Sequence, residues 1–83
     1  YLIMAIVFFS GELQKLTGED QAIVTAPNYR DLIEELTLKY PSLEKKPLME
    51  MAIAIDGLIL VDPYFELIES DSEIHFFHFV AGG

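Results

Sequence analysis

The sequence predicts an α+β domain in which one long helix covers one face of a mixed β-sheet. Three observations predict it. Tyr29, Leu32, Ile33, Leu36 and Tyr40 form a single apolar stripe at helical spacing. Asp56-Gly57 stands between two apolar runs, the strongest short-range hairpin signal, because a type I′ turn needs positive φ at both central residues. The first and last apolar segments are short, bounded and rich in β-formers.

Residues 2–9 (LIMAIVFF) read as a buried strand ended by Ser10-Gly11. Residues 12–16 make one short helical turn closed by Gly18, and residues 21–25 (QAIVT) form a second strand stopped by Ala26-Pro27. Asn28 caps the long helix, with Asp31 three residues on as the acid of a capping box, and Pro41 ends it. Residues 42–46 read as a further turn before Pro47. Residues 51–55 and 58–61 are the arms of the hairpin, residues 63–71 are irregular, and residues 73–79 (EIHFFHF) are a final strand. The order is β-β-α-β-β-β. With 83 residues and no linker or repeat, residues 1–83 make one domain, with residues 80–83 as a flexible C-terminal tail.

Composition narrows the function classes. Fourteen acidic against five basic residues give a net charge of −9, which repels nucleic-acid backbones and anionic membranes and suits a basic partner. The absence of cysteine excludes disulfides, iron–sulfur clusters and a thiolate nucleophile. The longest apolar run is far short of the ~20 residues that span a bilayer, and it lacks the flanks of a signal peptide, so a cytoplasmic protein is expected.

With 52% hydrophobic residues, so small a core cannot hide everything. The first strand is apolar at both parities, Leu2, Met4, Ile6 and Phe8 against Ile3, Ala5, Val7 and Phe9. The last is similar, with Ile74 and Phe76 against Phe77 and Phe79. One helix covers one face only, so part of the other face is expected to stay open and apolar, a mark of a protein–protein site. The competing expectation is that residues 62–72 fold over it.

The order of elements resembles the β-grasp, the ubiquitin-like fold. Val7-Phe8-Phe9 followed by Leu13-Gln14-Lys15-Leu16-Thr17-Gly18 resembles the opening of the small subunit of molybdopterin synthase. The segment Ala54-Ile55-Asp56-Gly57 and the ending Glu73-Ile74-His75-Phe76-Phe77, then Val80-Ala81-Gly82-Gly83, sit where that family has corresponding segments. Two departures stand out. His78 and Phe79 replace two prolines, and Ser70-Asp71-Ser72-Glu73 replaces the Asp-Gly-Asp-Glu turn.

The resemblance implies a sulfur carrier, not catalytic alone. An E1-like adenylating enzyme would activate the carboxylate of Gly83, next to Gly82, using its own ATP; no cofactor would be bound here. A sulfur donor would convert the adenylate to a thiocarboxylate, and the large subunit, in a heterotetramer, would use it in molybdenum cofactor biosynthesis. An α-carboxylate with a pKa near ~3.5 is ionised at neutral pH and is a poor electrophile until adenylated. Glycine leaves no side chain to obstruct a narrow channel and tolerates unusual backbone angles. The resemblance further implies that Phe9, Ile59, Phe77, Phe79, Val80 and Ala81 contact the partner. The shared odd parity of Phe9 and Phe77 places both on the open face, with Phe8 and Phe76 in the core.

Other chemistry is weakly supported. His75 and His78, three apart in a strand, point to opposite faces and cannot chelate together. Glu69, Asp71 and Glu73 form an acidic cluster next to a turn, better read as a solvated face than as an acid–base pair. The alternatives to the leading reading are a carrier or ubiquitin-like modifier for another pathway (thiamin, tRNA thiolation, protein conjugation), or a non-catalytic β-grasp interaction module.

Overall fold

The computed structural model describes residues 3–60 and 63–77. The elements are β1 (Ala5–Phe8), α1 (Glu12–Thr17), β2 (Gln21–Val24), α2 (Tyr29–Lys39), α3 (Lys45–Glu50), β3 (Ala52–Ile55), β4 (Leu58–Leu60) and β5 (Glu73–Phe77). They build one sheet in the order β2-β1-β5-β3-β4. β1 and β5 run parallel at its centre, and the other neighbours are antiparallel. The expected order is present, with α1 and α3 as short additions to the main helix.

Local chemistry explains each boundary. Gly18 closes α1 in the left-handed region, φ 74, with its N–H donating to the Gln14 carbonyl. The Asn28 side-chain oxygen accepts from the Asp31 N–H at 2.8 Å, and its amide donates to the Asp31 carboxylate at 3.3 Å. Asn28→Ala removes both bonds. It should cost about 1 kcal/mol and lower Tm by about 4–8 °C, measured by thermal unfolding. Asp56 and Gly57 both have positive φ, 53 and 82, as the two-residue hairpin turn requires. Asp71 also has positive φ, 67, at the position where the resembled turn carries glycine.

Two expectations are corrected. α3 runs through Pro47 rather than ending before it, since Pro47 falls in the first turn, where the helix has no acceptor for an N–H. The parity argument for β1 is wrong. Phe9 is 4% exposed and lies in the core, whereas Phe8 is half-buried on the opposite face. The reason is register: Ile6 lies beside Glu73 and Phe8 beside His75, so even positions of β1 share a face with odd positions of β5. Equal parity in the two strands therefore means opposite faces. Phe76 is in the core, as expected.

The core lies between the sheet and the helices. Tyr29, Leu32, Ile33 and Leu36 of α2 pack with Val7, Val24, Ile53, Ile74 and Phe76. Each such buried side chain contributes roughly 1.5–3 kcal/mol by leaving water. Phe9 meets Tyr40 edge-on, with ring centroids 5.5 Å apart. Burial, reinforced by the Glu19 carboxylate, raises the Tyr40 phenol above its ordinary value, so that ring stays neutral against Phe9.

The segment after Pro63 does not cover the open face. The Ile68 N–H donates to the Pro27 carbonyl and the Tyr29 N–H to the Glu66 carbonyl, tying the segment to the start of α2, and the Ile68 side chain joins the core.

Candidate functional site

The face of the sheet turned away from the helices is built by strand register. One row crosses it through Gln21, Phe8, His75, Ala54 and Ile59. A second runs through Ile23, Ile6 and Glu73, and a third sets Phe77 beside Ala52. Met4, Ile23 and Ile59 are each about half exposed, at 49%, 51% and 50%. Ile6, Phe8 and Phe77 are intermediate. Phe8 stacks on His75 with centroids 4.9 Å apart and planes 10° from parallel. Along these rows Glu73 is the single Asp, Glu, Lys or Arg, so a partner could dry the surface without stranding several charges.

Such a face is what an uncovered β-sheet leaves when each strand is apolar on both sides. A contiguous apolar patch rimmed by polar residues is the usual signature of an association surface. The expected open face is therefore present, but its membership differs from the sequence reading. Ile59 and Phe77 lie on it; Phe9 does not. Phe79, Val80, Ala81, Gly82 and Gly83 lie outside the described residues. The sequence reading missed Met4, Ile6, Phe8 and Ile23 as surface residues. The signal available for Ile23 was alternation, since Gln21 and Ile23 share one side of β2 while Ala22 and Val24 are buried.

Phe77 also borders a groove of about 490 Å³ between α1 and α3. Leu13, Leu16, Leu43, Leu48 and Met51 line it, with Glu12 and Glu44 among its polar residues. The open face and this groove thus meet at the last residue of β5, the strand that leads towards Gly83.

Among the described residues no group of three or more His, Cys, Asp or Glu could hold a metal ion. His75 is instead the stacking partner of Phe8, and His78 lies outside the described residues. Glu69, Asp71 and Glu73, near the last turn, are all exposed. The Asp56 carboxylate accepts from the Glu73 N–H at 2.9 Å, which fixes the hairpin turn against the start of β5.

Comparison with known proteins adds independent information. Residues 7–83 match the profile of the ThiS family. No curated protein matches the sequence. Among solved structures, small archaeal modifier protein 1 from Methanosarcina acetivorans superposes with a TM-score of 0.79 at 21% identity, covering 100% of this chain and 99% of that one. A putative molybdopterin converting factor, subunit 1, from Pyrococcus furiosus gives 0.75 at 18% identity, covering 94% of this chain and 99% of that one. A complex of subunits 1 and 2 of molybdopterin-converting factor from Helicobacter pylori gives 0.65 at 18% identity, covering 98% of this chain and 100% of that one. At such identities the superpositions establish the ubiquitin-like β-grasp fold.

Proposed function

The chain belongs to the ThiS family, ubiquitin-fold sulfur carriers that are not catalytic alone, and from that premise we propose that it is the sulfur-donating small subunit of a molybdopterin synthase. The observation that carries this reading is the apolar open face, continuous with the strand that leads to Gly82-Gly83. A carrier needs a surface that holds a partner and an end that enters it. Phe8, Ile23, Ile59 and Phe77 supply the surface. Phe79, Val80 and Ala81 would follow the partner's channel, and Gly82 and Gly83 would present the acyl group.

The chemistry is that of the terminal carboxylate. Its oxygen attacks the α-phosphate of ATP on an E1-like enzyme, pyrophosphate leaves, and an acyl-adenylate forms on Gly83. A sulfur nucleophile from a persulfide-type donor then attacks the carbonyl. AMP leaves, and reduction of the remaining disulfide link by a second thiol frees the thiocarboxylate. The large subunit would consume that group in building the dithiolene of the molybdenum cofactor. Binding by an apolar face rather than by ion pairs makes the association tolerant of salt.

A second reading has one observation in its favour. The M. acetivorans structure, which superposes over nearly the whole of both chains, is that of a small archaeal modifier protein. In that reading the activated Gly83 acylates lysines of other proteins.

Intact mass spectrometry separates the two. Incubation with an adenylating enzyme, ATP and a persulfide donor should exchange one oxygen for sulfur, and the product should then disappear on addition of large subunit and pterin precursor. A chain that accepts no sulfur under these conditions, or accumulates only as lysine-linked conjugates, overturns the proposal.

A further inference from the structure

The two edges of the sheet are finished differently. At the β2 edge, the outward Ile23 carbonyl accepts from the Lys39 ammonium at 3.4 Å, and the Thr25 N–H donates to the Glu35 carboxylate at 3.0 Å. Both partners come from α2, so helix side chains occupy the backbone groups that a further strand would need. At the β4 edge the arrangement is open. The Asp56 N–H donates to the Glu73 carbonyl, so Ala54 faces β5 and the flanking residues Ile53 and Ile55 bond Leu60 and Leu58. Ile59 therefore turns its N–H and C=O outward. Among the described residues no side chain bonds to the backbone of β4.

Beside this edge lies a groove of about 290 Å³, on the opposite side of β4 from the Ile59 side chain. Its apolar lining includes Leu58, Leu60 and Leu67, and its carboxylates are Asp56, Glu66 and Glu69. Leu58 and Leu67 are 66% and 71% exposed. Charge is segregated along the chain in the same sense. All five Lys and Arg residues lie at or before Lys46, whereas seven of the fourteen acids lie after it. No Lys or Arg in the second half can answer the rim of the groove.

We propose that the β4 edge and its groove bind an extended segment of a partner protein, in which apolar side chains are flanked by Lys or Arg. The segment pairs with Ile59 as an added strand. One apolar side chain enters between Leu58, Leu60 and Leu67, and its basic neighbours face Asp56, Glu66 and Glu69. Strand addition supplies main-chain hydrogen bonds, and the groove and carboxylates supply the choice of sequence. The edge adjoins the open face at Ile59, whose side chain belongs to that face, whereas its outward backbone and the groove behind Leu58 and Leu60 belong to the edge, so the two surfaces use different groups. Binding at this edge does not depend on whether Gly83 accepts sulfur.

The test uses the full chain, isotope-labelled, and a capped peptide Lys-Lys-Val-Leu-Val-Lys-Lys, followed by backbone amide shifts in NMR. The largest shifts should fall at Ile59, Leu60, Leu67 and Glu69, and the Ile59 amide should exchange more slowly with solvent. Affinity should drop by about tenfold in Glu66→Lys/Glu69→Lys and decline with added salt. Both side chains are exposed, and an unchanged amide spectrum elsewhere establishes that the variant is folded. Shifts centred on Met4, Phe8 and Ile23, equal binding of the Glu-flanked counterpart, undiminished affinity in the double variant, or self-association of the chain through β4 would each overturn the proposal.

Discussion

Phe9→Ala should cost about 3–5 kcal/mol of folding stability, while Phe8→Ala, one residue earlier, should cost about 1–2 kcal/mol. Phe9 is buried against Tyr40 and the core, and its removal leaves a cavity that the surrounding side chains close only in part. Phe8 loses a half-exposed stack on His75, on a face already open to water. Against a total of roughly 5–15 kcal/mol for a domain, the first change removes a large share and the second does not. Urea unfolding of the two variants measures the contrast directly. Equal costs would mean that Phe8 is buried by something in solution, such as a second copy of the chain.

The second large effect concerns association. Met4→Lys/Ile23→Lys places two charges on the open face at half-exposed positions. Stability should change by no more than about 1 kcal/mol in total. Affinity for a large synthase subunit should fall by about 30–100-fold, because each ammonium must be desolvated without a partner charge in an apolar interface. Titration calorimetry gives the affinity, and the sulfur-loading assay gives a control. A drop in synthase binding with folding and sulfur loading intact isolates the face. Unchanged affinity would mean that the partner docks elsewhere.

Much of the fold was legible because local signals agreed. The stripe from Tyr29 to Tyr40, the Asn28 cap and the Asp56-Gly57 turn each have a chemical cause within a few residues, and all three are present as read. What could not be read locally was register. The odd offset between β1 and β5 is set where two distant segments pair, and no periodicity within either strand reveals it. That single unknown exchanged Phe8 and Phe9. Pro47 misled for a related reason, since a proline ends a helix only where an N–H is needed, and in a first turn it is not. The open face was legible in kind, from strands apolar on both sides, but not in membership. The β4 groove was not legible at all, because it depends on where residues 66–69 settle against α2.

The central place of β5 has a consequence for timing. During synthesis the sheet lacks its middle strand until residues 73–77 have emerged, so β1 and β3 cannot be bridged earlier. β5 itself is therefore fixed only by the event that completes the fold. If Gly83 carries the acyl group as proposed, a half-made or unravelled molecule offers it no fixed platform, and the completed sheet becomes a condition of transfer.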